Sequence, residues 1–222
     1  MSRFVSPSPD LQVTFYARLN ELRGILLLKA LQSVVADADI AQLDRELSLL
    51  VTKRSLQRVA GWGLRGETVF PVPYILTLSP FLLGYYRLLL GFSQKQFYGK
   101  AYGIAAFKSM EGRGLLSKQQ SLLLEPLCRA LCASAESLVT DVPDLDMASI
   151  HDLTLHTLGP QLRGGALNAL GVNATERVFE LIRSIVLPAV ESSTARSIFV
   201  RNAAHRLVNI EFASDPDIVS SQ

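Results

Sequence analysis

The residues best suited to chemistry lie near the end of the chain, in Asp215-Pro216-Asp217. Two carboxylates two residues apart, following an apolar stretch, can offer hard oxygen ligands to a divalent cation such as Mg²⁺. One such pair is not a hydrolytic centre. A metal that activates water is usually held by further carboxylates, and a lysine on a neighbouring strand commonly helps orient the attacking water. The last lysine of this sequence is Lys118, and the chain ends five residues after Asp217. An acid-x-Lys strand therefore has no counterpart before Gln222, and the expectation is a shortened chain carrying half of a site.

The elements that must position these acids can be read upstream. Ser197 to Ile218 reads as two strands, with Ile198, Val200, Leu207, Val208, Ile210 and Phe212 supplying β-branched and aromatic character and Asn202-Ala203-Ala204 forming the loop of a hairpin. Asn173-Ala174-Thr175-Glu176 has the form of a capping box for a helix through Glu191, with Val178, Leu181, Ile182 and Ile185 apolar and Pro188 bending its end. Glu211 alternates with Ile210 and Phe212, so it is either a solvent-facing residue or a carboxylate facing a cleft. His205 reads as a hairpin histidine rather than a base. The order helix, strand, strand, acidic turn is that of the beginning of an αβββαβ core. If the chain stops there, the sheet should present an exposed apolar edge after Phe212.

The larger part of the chain reads as helical. Ser2 to Asp10 is a Ser/Pro-rich arm. Phe15, Leu19, Leu22, Leu26 and Val34 recur at helical spacing over Val13 to Val35, which predicts one long amphipathic helix. Asp39 to Gln42 has acid-x-x-Gln capping form, Thr52 can cap the next helix, and Ser93 to Gln96 and Ser117 to Gln120 are further capping boxes. Helices are predicted from Ser93 through Lys108 and from Ser117 through Val139, the second bent at Pro126. Phe70 to Pro73 is a stiff extended connector. Leu153 to Leu158 is either a short strand or a helix end, and Gly159 to Gly165 is read as a glycine-rich loop. The acidic break Asp141 to Asp146 marks a boundary between residues 1–143, helical and basic, and residues 144–222. The fold class is α+β, predominantly helical.

Charge is distributed unevenly. The formal net charge is +2, yet residues 51–120 hold ten Lys or Arg against Glu67 and Glu111, a local charge of +8. Such a block is the electrostatic footprint of a nucleic-acid partner or a solvated helical face. Aromatics interleave with bases at Tyr85, Tyr86, Arg87, Lys95, Phe97, Tyr98, Lys100 and Tyr102, and Arg113 sits in an exposed turn, a pattern that can stack on or steer along DNA. Gln161 and Arg163, beside permissive glycines, are residue types that make bidentate contacts to base edges.

Composition narrows the classes. At 222 residues and 49% apolar, the chain is an ordered globular protein with ample core. Arg23, Lys29, Arg87 and Lys95 interrupt its apolar runs, which excludes a membrane span, and no signal peptide is recognisable. Cys128 and Cys132 lie four apart without histidines at ligand spacing, so they are read as buried thiols of a cytoplasmic protein.

Across most of its length the sequence resembles the XcyI-type restriction endonucleases. The likeness is carried by NELRG, GLRGE, FPVP, LLGYYRLLLGFSQKQFY, LGPQLRGG, ATERVFELI and FVRNAAHRLVNIEFASDPDI. It implies a PD-(D/E)XK nuclease fold, Mg²⁺-dependent cleavage of double-stranded DNA at a CCCGGG-type palindrome, a homodimer matched to that symmetry, and a methyltransferase that acts on the same DNA site. Carried over residue by residue, Asp217 is the first metal ligand with Asp215 as the alternative, and Glu180 or Glu176 is the helix acid. The missing acid-x-Lys strand leaves three readings: a catalytically incomplete endonuclease chain, a non-catalytic DNA-binding module, or one part of a split nuclease.

Overall fold

In the computed structural model, residues 9–212 and 218–221 are described, without the side chains of 166–174 and 218–221. The helices are α1 (Asp10–Leu26), α2 (Leu28–Ala36), α3 (Ile40–Leu50), α4 (Lys53–Gly61), α5 (Pro73–Leu78), α6 (Leu82–Leu89), α7 (Gln94–Phe97), α8 (Lys108–Arg113), α9 (Lys118–Leu122), α10 (Leu124–Asp141) and α11 (Met147–Val186). Four strands follow: β1 (Val190–Ser193), β2 (Ser197–Arg201), β3 (Leu207–Phe212) and β4 (Ile218–Ser221). The expected class, α+β and predominantly helical, is what the chain forms. Two compact units divide it, Met1–Arg163 and Gly164–Gln222, with the division inside α11.

Among its described residues, the first unit has helices and no strand. The helix expected over Val13 to Val35 is broken at Leu27, which is extended (φ −112°, ψ 176°). The break coincides with a change of packing partner: Leu26 and Leu27 join the cluster that holds Leu88 and Leu158, whereas Leu28 enters the main core with Leu31. Asp39 caps α3 by accepting from the Ala41 and Gln42 amides, although Gln42 turns to Glu46 and the Asp39 amide donates to the Tyr74 hydroxyl instead. Thr52 caps α4, and reciprocal capping boxes form at Ser93 and Ser117.

Two long helices expected here are divided. After α7 the chain passes through short 3-10 turns at Lys100–Tyr102 and Ala105–Phe107 before α8: Gly99 is extended (φ −68°, ψ 167°) two residues past α7, and Gly103 is left-handed (φ 68°) and ends the first of these turns. The second breaks at Leu123, so Pro126 lies in the first turn of α10, where a missing N–H costs nothing.

The segment Leu153–Gly165, read as strand or helix end followed by a loop, is helix throughout, with Pro160 inside it. Ile150, Thr154 and Leu158 are buried at four-residue intervals, a helical period that the shorter Leu-x-Leu alternation masks. Leu158 joins Leu19, Leu22, Leu26, Leu27 and Leu88 in a small core cluster, which seats the first half of α11 against α1 and α6.

The second unit is a helix on an antiparallel sheet of order β1-β2-β3-β4. The β2–β3 hairpin falls where expected, with Ile198 opposite Ile210 and Val200 opposite Val208. Strand alternation sends these side chains, with Phe212, to one face, where Phe179 and Val186 of α11 pack on them. Asn202 holds the hairpin loop: its side-chain oxygen accepts from the Ala204 and Arg206 amides, each at 3.0 Å, and His205 takes φ 58°. Two expectations fail. The helix ends at Val186, and Val190–Ser193 is a strand on β2 instead of a helix end. The apolar edge expected after Phe212 is covered, because β4 pairs with β3 and Phe212 faces Ile218.

Candidate functional site

The acids of the expected metal centre are distributed as follows. Asp215 and Asp217 lie outside the described residues, between the paired residues Phe212 and Ile218. Glu180 is exposed on α11 and accepts from Arg183 Nη1 at 2.8 Å. Arg183 also donates to the Thr194 carbonyl at 2.6 Å and lies 5.3 Å from the Phe179 ring centre, so Glu180 is tied to a side chain that clasps the sheet. Glu176 is exposed one turn earlier. Glu211 stands opposite Ser197 and Val219, on the sheet face away from Phe179, and is exposed. The sheet therefore separates Glu211 from Glu180. Among the described residues no group of three or more His, Cys, Asp or Glu could hold a metal ion. Asp215 and Asp217 are the right hard-oxygen donors for Mg²⁺, but the described carboxylates alone do not make its site.

The basic block resolves into two kinds of residue. Lys95, Lys100 and Arg113 are exposed, as the DNA-contact reading requires. Tyr102 is 54% exposed beside Lys100 and meets Phe92 edge-on, with ring centres 5.4 Å apart. Arg87 is the correction. Its side chain is 1% exposed and paired with Glu111, itself 2% exposed. Arg87 Nε and Nη2 donate to the two Glu111 oxygens at 2.8 and 2.7 Å, and Nη1 donates to the Phe92 carbonyl. Gln94 Nε2 and the Tyr98 hydroxyl complete the carboxylate's shell, each at 2.7 Å. Burial pushes the Glu111 carboxyl upward, but Arg87 outweighs it with help from Gln94 and Tyr98, leaving it below the ordinary glutamate value. A residue so enclosed cannot touch a phosphate. Tyr85 and Tyr86 are likewise core, their hydroxyls donating to the carbonyls of Thr68 and Glu67.

Sequence reasoning missed a cleft of about 510 Å³ above this ion pair. Its walls come from Leu22, Ile25 and Leu26 of α1, from Phe81, and from Leu158 and Leu162 of α11; its polar groups are Arg18, Glu21, Gln94 and Gln161. Arg18 and Glu21 form an i, i+3 ion pair, both more than half exposed. Gln161 donates Nε2 to the Thr157 carbonyl at 2.7 Å, which fixes its amide in the cleft wall, whereas Arg163 is exposed. The signal was available in Arg18-Leu19-Asn20-Glu21-Leu22-Arg23, where polar residues punctuate a buried stripe, but without the partner wall it reads as an ordinary amphipathic helix.

Neither cysteine forms a reactive site. Both are buried free thiols, Cys128 displaced upward by burial and Cys132 pushed up to about 12 by the same cause. Among the described residues, no helix is long and apolar enough to cross a membrane.

The chain is 47% identical over 222 residues to the type II restriction enzyme Cfr9I of Citrobacter freundii, an alignment covering 98% of this chain and 67% of the relative. It is also 47% identical over 217 residues to the type II restriction enzyme XcyI of Xanthomonas campestris pv. cyanopsidis, covering 96% and 65%. The chain thus spans about two thirds of the length of these relatives. No solved structure matches it. The family model for the XcyI restriction endonuclease matches residues 16–222, and the chain belongs to that family.

Proposed function

We propose that the chain is the DNA-binding part, with the first portion of the nuclease core, of a type II restriction endonuclease that cuts both strands of a CCCGGG-type palindrome. The observation that carries the reading is family membership over almost the whole chain. The exposed Lys95, Lys100 and Arg113 of the helical unit support it as phosphate contacts that position the duplex without reading its sequence. Gln161 and Arg163 are proposed as base or backbone contacts on α11. The helix-on-sheet unit is proposed as the start of a PD-(D/E)XK core. Residues 1–143 remain the proposed duplex-binding region and residues 144–222 the proposed partial nuclease core, to which Gln161 and Arg163 add DNA contacts.

In this reading Asp217, with Asp215 beside it, holds Mg²⁺, and Glu180 contributes from α11 once released from Arg183. Bound Mg²⁺ would supply charge stabilisation at the scissile phosphate and a more acidic water. The chain's own residues hold the cation, neutralise phosphate charge and fix the register of the duplex. A palindromic target favours a homodimer, and a methyltransferase would protect the same site on the DNA.

The test is binding of a CCCGGG duplex by the purified chain in Mg²⁺, in Ca²⁺ and in EDTA. Divalent cation should tighten binding, and Asp217→Asn should remove that gain while leaving binding in EDTA unchanged. Equal metal enhancement in Asp217→Asn and wild type would refute the assignment of Asp217.

A further inference from the structure

We infer that the cleft lined by Arg18, Glu21, Phe81, Gln94 and Gln161 receives a single nucleobase extruded from the DNA substrate. The inference rests on the double-stranded DNA reading above and goes beyond it. A duplex is convex and is read by elements that protrude into its grooves. A concave pocket of about 510 Å³ with one aromatic and several aliphatic walls suits a flat, isolated ring instead. Enzymes that take a base out of the stack read it by hydrogen bonds to its Watson–Crick edge while apolar side chains cover its faces.

The polar groups have the complement such an edge needs. Gln94 and Gln161 each commit their amide nitrogen to the protein, Gln94 to Glu111 and Gln161 to the Thr157 carbonyl. Their carbonyl oxygens have no hydrogen-bond donor among the described residues and are free to accept. Arg18 spends one nitrogen on Glu21, leaving its other donors uncommitted. A carboxylate beside a guanidinium matches a base edge that carries an amino donor and a carbonyl acceptor, as guanine and cytosine, the bases of the proposed target, both do. Without a base, Arg18 and Glu21 satisfy each other at the rim. With one, Glu21 accepts from the exocyclic amine and Arg18 donates to the carbonyl oxygen.

The floor supports the same reading. Arg87 and Glu111 are locked by one another, by Gln94 and Tyr98, and by the Phe92 carbonyl. The pocket is thereby preorganised, with the acceptor of Gln94 held in place before any ligand arrives. Phe81 is fixed by Gly114, where a Cβ would sit 2.4 Å from the ring.

The experiment uses the whole chain and CCCGGG duplexes carrying a fluorescent cytosine or guanine analogue, one position at a time, whose emission rises on unstacking. Binding is followed independently by anisotropy. At one position, emission should rise several-fold on binding, and removing the complementary base at that position should tighten binding. Gln161→Leu and the Arg18→Gln/Glu21→Gln double variant, all outside the buried core, should each abolish the rise and weaken binding about tenfold; their melting temperatures serve as the check that they fold. Binding without a rise at any position overturns base extrusion but leaves the DNA reading standing. A rise equal in wild type and both variants overturns the cleft as its destination. Saturation-transfer NMR with dCMP and dGMP separates the sources: contact with the free nucleotides but no rise in the duplex also overturns extrusion. No binding to the duplex overturns both readings.

Discussion

Replacing Arg87 by leucine distinguishes a buried structural ion pair from a surface DNA contact. Glu111 accepts four hydrogen bonds, two of them from Arg87. In Arg87→Leu the carboxylate keeps Gln94 and Tyr98 but loses its counter-charge while staying enclosed. Removing one partner of a buried pair costs about 3–5 kcal/mol, mostly because the remaining charge is stranded. The sign with pH follows from Glu111. Its folded-state carboxyl lies below the ordinary glutamate value, so the pair's contribution is present above about pH 4.3 and is lost as pH falls through the lower folded value. In the variant, the stranded carboxyl titrates upward, so the deficit should be largest near neutrality and shrink as the pH falls and that carboxyl takes up a proton. Urea unfolding at pH 7.5 and pH 5 measures both quantities. The double variant Arg87→Leu/Glu111→Leu should be more stable than Arg87→Leu alone, since no charge is left behind. A loss below about 0.5 kcal/mol, the range expected at an unconstrained surface site, or a deficit independent of pH, would refute the enclosed-pair account.

Three other expectations are direct. Gly114→Ala should lose about 1–3 kcal/mol, because φ 64° disfavours a Cβ and the added atom meets Phe81; thermal unfolding reads it. Asn202→Ala should cost about 1 kcal/mol by freeing two loop amides, and faster amide exchange at Ala204 and Arg206 would locate the loss. Cys128 and Cys132 should resist a thiol reagent at pH 8 until denaturant is added, since burial holds both protonated.

Local signals were legible where the sequence decides them alone. The caps at Asp39, Thr52, Ser93 and Ser117 and the β2–β3 hairpin follow from short-range chemistry. What failed depended on partners. Leu26-Leu27-Leu28 gives no sign of a break, because the sequence does not show that Leu26 and Leu27 join one cluster and Leu28 another. The Gly-Pro-x-x-x-Gly-Gly stretch has loop composition, yet packing of Ile150, Thr154 and Leu158 carries the helix through it. Arg87 looked like its exposed basic neighbours, because the sequence does not announce that Glu111, 24 residues away, folds onto it. Asp215 and Asp217, the candidate metal acids, lie outside the described residues, and the cleft required α1, Phe81 and α11 to meet and was invisible beforehand.

The most direct test of the central claim is the salt dependence of CCCGGG duplex binding by wild type and by the Lys95→Ala/Lys100→Ala/Arg113→Ala variant. Wild-type affinity should fall linearly on a log–log scale, and the variant's slope should be shallower by about 0.9 for each phosphate contact removed. An unchanged slope, or wild-type binding indifferent to salt, would contradict the assignment of this surface to DNA.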